Sequence, residues 1–123
     1  MARTALDLAP EKLRSYRPDL AKKASPAAKR CEQAWEVARR AAHLLHEKFG
    51  AKRVVAFGSL VHRDAFTRWS DIDLAAWGIP PEAFYRAVAA VTGMSPDFEI
   101  DLVDVDDSSP RLRQTIEQEG IEL

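Results

Sequence analysis

The sequence predicts an α/β domain, with a small mixed β-sheet flanked by helices and a helical N-terminal extension in front. Three short apolar runs rich in β-formers, at 53–57, 71–77 and 98–105, alternate with stretches of helical periodicity. Turn residues close or follow each run: Gly58-Ser59, Gly78 and Ser108-Ser109-Pro110. The resulting order is helix, strand, short helical turn, strand, helix, strand, helix, which suits one sheet packed against helices.

The first 26 residues carry Pro10, Pro18 and Pro26 among many charges. Pro10 can start a short helix at Glu11, and Pro18 interrupts or restarts it. Ser25 then caps a long helix that has Pro26 in its first position. Along it, Cys31, Trp35, Ala38, Ala42, Leu45 and Phe49 recur at steps of three and four, forming one apolar stripe. Gly50 stops the helix. Residues 60–66 fit a short helix or helical turn. Pro80-Pro81 opens a helix with Phe84, Val88 and Val91 on one side. Ser109 and Pro110 start the last helix, and Gly120 ends it.

Composition narrows the function. The chain has 123 residues, 46% of them hydrophobic, which suits one domain with its own core and leaves little room for a separate substrate-binding unit. A net charge of -1 argues against general nucleic-acid binding, which shows as basic excess. The locally basic stretch Lys12, Arg14, Arg17, Lys22, Lys23, Lys29 and Arg30 is expected to be a solvated helical surface. The lone Cys31 excludes an internal disulfide and fits a buried apolar position in a reducing compartment. No apolar run is long enough to span a membrane, and no secretory core precedes the domain, so a cytoplasmic protein is expected.

The chemistry lies in the strands. Side chains of a strand alternate between faces. Asp71, Asp73, Ala75 and Trp77 therefore share one face, and Ile72, Leu74 and Ala76 the other. With the apolar set on the helices, both aspartates lie on the accessible face. In the third run Glu99, Asp101 and Val103 share a face, so Asp101 joins the pair if the two strands are neighbours. Asp104 has the opposite parity and is expected at a strand end or loop. Three adjacent carboxylates repel one another and need cations. Their hard oxygens suit Mg²⁺, which commonly bridges substrate phosphates.

Gly58 and Ser59 supply the other half. A glycine lets backbone approach a phosphate, the serine adds a hydroxyl donor, and the N–H groups opening the next turn favour an anion. A Gly-Ser turn or an Asp-x-Asp is common by itself. Their order, joined by a third aspartate of matching parity, points to transfer of a nucleotide from a nucleoside triphosphate.

Other candidates are weaker. His43 and His46 can share a helix face, but no third ligand is evident, so solvated positions are expected. Trp69 and Trp77 flank the acidic pair. They are read as core or strand-end aromatics ahead of a platform for a base or sugar.

The stretch GSLVHRDAFTRWSDIDLAAWG, with FEIDLVDV downstream, resembles the minimal nucleotidyltransferase family of the DNA polymerase β-like superfamily. The resemblance runs from about residue 50 through the closing IEQEGIEL. It implies a polymerase β-like nucleotidyltransferase fold over residues 27–123, with residues 1–26 as an N-terminal extension. It implies phosphate binding by Gly58 and Ser59, and catalytic metal ligation by Asp71, Asp73 and Asp101. Two Mg²⁺ ions and ATP as substrate follow from it. The chain departs from the family where an Ala-Arg-Gly run is common: here stand Val61, His62 and Arg63. His62 is read as a surface-turn residue ahead of a phosphate contact. Arg63 and Arg68 are candidates to neutralise phosphate.

Many small members resemble antitoxins of HEPN-domain ribonuclease toxins. That resemblance implies a heteromeric complex and AMP transfer from ATP to a toxin hydroxyl. The alternatives are a non-catalytic antitoxin that neutralises by binding, and a transferase for a small-molecule acceptor.

Overall fold

The computed structural model describes residues 26–62, 65–67 and 69–123. The expected extension, its basic stretch up to Lys23, the Ser25 cap, Arg63 and Arg68 lie outside the described residues. The first helix, α1, spans Pro26–Phe49. It buries Cys31, Ala34, Val37, Ala38, Ala41, Ala42 and Leu45. The predicted stripe is thus correct but narrow. Ala34, Val37 and Ala41 widen the buried face, while Trp35 and Phe49 lie at its margin, half-buried.

Strand β1 is Arg53–Phe57, β2 is Ile72–Trp77 and β3 is Ile100–Asp104. Between β1 and β2 the chain makes a 3-10 turn at Gly58–Val61. A helix α2, Pro81–Thr92, connects β2 to β3, and α3, Pro110–Glu119, follows a 3-10 turn at Val105–Asp107. The sheet order is β3-β2-β1-β4, where β4 is the two-residue strand Ile121–Glu122. β1 runs antiparallel to both β2 and β4, and β2 runs parallel to β3. The sheet is therefore mixed, as expected. The fourth strand was not anticipated, because Ile121-Glu122 is too short to show alternation.

The two faces of the sheet differ. Val54, Ala56, Ile72, Leu74, Ala76 and Ile100 pack with α1 and α2 in the main core. Val55, Phe57, Ala75 and Val105 pack with Ile116 of α3 in a smaller one, with Trp77, Val103 and Leu112 at its margin. This is the face assignment that parity predicts. Gly120 completes the α3 layer by its lack of a side chain: a Cβ there would overlap Val55 Cγ1 and crowd the Ile116 carbonyl.

Both predicted proline-led starts are present. Pro81 occupies the first turn of α2, and the Ser109 hydroxyl accepts the Leu112 N–H at 3.1 Å to cap α3. Cys31 is a buried free thiol. Among the described residues no helix is long and apolar enough to cross a membrane.

Candidate nucleotidyl-transfer site

Backbone register brings the predicted residues together. Asp73 is the second residue of β2, and the parallel pairing sets it beside Asp101 of β3. Asp71 immediately precedes β2, one residue short of the predicted strand start. The Ile72 N–H donates to the Glu99 carbonyl at 2.9 Å, which fixes the β2 entry against the approach to β3. On the other side, the antiparallel pairing sets Phe57, the last residue of β1, opposite Asp73. Gly58 follows directly, so the turn and the three aspartates meet at one end of the sheet.

Gly58 is required there twice over. Its φ of +75° is a conformation that side-chain-bearing residues rarely adopt, and a Cβ would lie 2.5 Å from Asp73 Oδ2. Leu60, fully buried, pins the middle of the turn, while Ser59 stays half-exposed. The His62 N–H closes the turn on the Ser59 carbonyl at 3.1 Å. One 3-10 turn is too short to carry a helix dipole, so any phosphate affinity falls to its N–H groups and the Ser59 hydroxyl.

The electrostatics mark Asp73 as the focus. Its pKa is raised from the usual 3.8 to about 6, chiefly by burial and then by the charges of Asp101 and Asp71. Both neighbours are close enough to be felt, as the register implies. Asp73 is half-buried, and Asp101 is exposed. A donor set of three carboxylates suits a hard divalent cation, and a cation would relieve the repulsion that raises Asp73. As they stand, however, no three acidic, histidine or cysteine side chains among the described residues are gathered so as to hold a metal ion.

Other predicted features fall elsewhere. Asp104 ends β3 and accepts the Asp106 N–H at 3.1 Å, a strand-end role as its parity implied. Trp77 is half-buried under the guanidinium of Arg53, which sits 4.4 Å from its ring centroid. Trp69 corrects the expectation of a core aromatic: it is 78% exposed, on a loop tied by the Thr67 N–H to Ser70 Oγ at 3.0 Å. Of the helix histidines, His43 is exposed as expected. His46 is not simply solvated, because its Nδ1 lies 2.9 Å from the Ala51 carbonyl at the helix exit.

One contact at the site escaped the sequence. His62 Nε2 lies 3.0 Å from Glu119 Oε1, at the end of α3. A span of 57 residues separates the two, and no local pattern announces it.

No family model and no curated protein matches the chain. Solved structures do. The chain is similar to a toxin–antitoxin structure with AMP-PNP, at 24% identity over 69% of this chain and 70% of that one, with a TM-score of 0.59. It is similar to the MntA-HepT toxin–antitoxin at 21% identity, covering 72% of this chain and 69% of that one, with a TM-score of 0.54. A mutant MntA-HpeT complex matches at 25% identity over 69% of each chain, with a TM-score of 0.57. The four-stranded mixed sheet with its flanking helices is the α/β fold that the chain shares with these MntA–HepT toxin–antitoxin structures.

Proposed function

We propose that this protein is a Mg²⁺-dependent nucleotidyltransferase that moves AMP from ATP to a hydroxyl of a protein partner, and that the partner is a HEPN-type toxin which the transfer silences. The observation that carries this reading is the register: Asp73 beside Asp101 in the parallel pair, and Phe57-Gly58 across from Asp73 in the antiparallel one. That arrangement brings the Gly58-Ser59 turn and three carboxylates to one end of the sheet. The likeness to a toxin–antitoxin structure with AMP-PNP supports both the nucleotide and the kind of partner.

In this reading Gly58 and Ser59 hold the terminal phosphates. Asp71, Asp73 and Asp101 would hold Mg²⁺, which when bound would neutralise phosphate charge and favour in-line displacement. The acceptor oxygen attacks the α-phosphorus, the bond to the bridging oxygen breaks, and pyrophosphate leaves. In this reading Asp101, exposed on the edge strand β3, takes the hydroxyl proton. The protein's share is positioning and charge neutralisation.

A second reading has one observation in its favour. The carboxylates are not gathered as a ready metal site among the described residues, which suits an antitoxin that neutralises by contact alone. One experiment separates the two. The protein is incubated with ATP, Mg²⁺ and its HEPN-domain partner, and the partner's intact mass is read. The proposal expects an AMP-sized gain that disappears in the Asp71→Asn/Asp73→Asn double variant. A complex that forms and neutralises equally well with that variant, with no mass gain from the wild type, would establish the contact-only reading instead.

A further inference from the structure

The turn that carries Gly58 and Ser59 is held from both ends. At its start it continues from β1, and at its finish His62 is bonded through Nε2 to Glu119, 3.0 Å away. We infer that Glu119 is a positioning residue for the phosphate turn, acting through His62. The inference rests on the reading of Gly58 and Ser59 as the phosphate-holding pair.

The two partners stand on unlike supports. His62 belongs to the turn: its N–H closes on the Ser59 carbonyl at 3.1 Å, and its own carbonyl accepts the Ala65 N–H at 2.7 Å. Any displacement of His62 is passed directly to Ser59. Glu119 belongs to the packed α3 layer. It ends α3, where Ile116 is fully buried and Gly120 packs against Val55 without space for a Cβ. Val55 lies on β1, the same strand that leads into Gly58. The contact therefore closes a ring from β1 through the turn, His62, Glu119 and Gly120 back to β1.

Closing a ring removes conformations that the turn would otherwise lose on binding phosphate, so it lowers the ordering cost of binding. The neighbouring acids of this layer are engaged elsewhere, since Glu117 and Glu122 both pair with Arg53. An imidazole can donate from Nε2 either as the neutral Nε2–H tautomer or as the cation, so the contact needs no particular charge on His62. Both side chains are about half exposed, and such surface pairs contribute little to global stability. The expected signature is therefore a loss of nucleotide affinity without a comparable loss of fold.

The test is calorimetric titration of the full chain with AMP-PNP in the presence of Mg²⁺. His62→Ala and Glu119→Ala should each weaken binding by about tenfold, and the double variant by no more than either alone. His62→Arg, which still donates to Glu119, should restore affinity to within about twofold, but not when Glu119→Ala is also present. Melting temperatures should stay within about 4 °C of wild type. If His62→Ala does not fold, His62→Leu, of similar bulk but without a donor, takes its place. Unchanged affinity in both single variants, with wild type binding normally, would overturn the positioning role alone. Absence of binding by folded wild type would overturn the phosphate-turn reading as well, so the two failures are distinct.

Discussion

The two faces of one sheet answer to different constraints, and residues adjacent in sequence show it. Leu74 points into the layer of α1 and α2, where the side chain is fully buried in the apolar core. Asp73, one position earlier, points to the other face, where burial and then two further carboxylates raise its pKa to about 6. The first face lowers the free energy of the fold by removing apolar surface from water. The second carries repulsion that no apolar contact relieves. An arrangement unfavourable in the free protein and favourable around a bound cation is what a functional site requires.

The sharpest way to break this comparison is to alter one residue of each kind. Asp73→Asn should reduce AMP transfer by at least about a hundredfold, because it removes a carboxylate that would hold the cation neutralising the transition state, while denaturant unfolding shows no loss of stability. Leu74→Ala should do the reverse. It should cost about 2–5 kcal/mol in chemical denaturation and leave transfer per folded molecule largely intact. Equal effects of both variants on both readouts would erase the distinction between the faces.

Gly58→Ala sits on the border and should combine the two effects. The strained φ and the clash with Asp73 should cost about 1–3 kcal/mol, and ATP binding should fall with it, as thermal melting with and without nucleotide can show. Ser59→Ala is milder. Loss of one hydroxyl donor to a charged phosphate should raise the KM for ATP by about three- to tenfold at unchanged stability.

The smallest effect is a dependence on pH. A carboxyl whose folded pKa lies above its unfolded value favours the folded state while protonated. That contribution is complete below about pH 3.8 and is lost as pH rises through about 6. In chelator, wild-type stability should therefore decline over this window relative to Asp73→Asn, which lacks the titrating group. Parallel pH profiles for the two proteins would remove Asp73 as the source.

Much of this was legible in the sequence because the relevant rules are local. Strand parity placed Asp71, Asp73 and Asp101 on one face and Leu74 on the other, and proline and serine marked the starts of α2 and α3. The misses share a physical cause: they depend on what the chain meets after folding. β4 is two residues long and exists because β1 offers it an edge. His62 and Glu119 meet only because Gly120 lets α3 dock tightly on Val55. His46 turns to a carbonyl that the helix exit brings back to it. Trp69 stays exposed because it lies on the loop before β2, where strand parity does not apply.

The central claim is that the carboxylate end of the sheet is arranged for cation-bound phosphates. The most direct test is to melt wild type and Asp73→Asn at pH 8, first in chelator and then with Mg²⁺ and AMP-PNP. The account predicts a crossing: the variant is the more stable in chelator, and wild type alone rises when the cation and nucleotide are added. Equal rises for both proteins, or none for wild type, would contradict it.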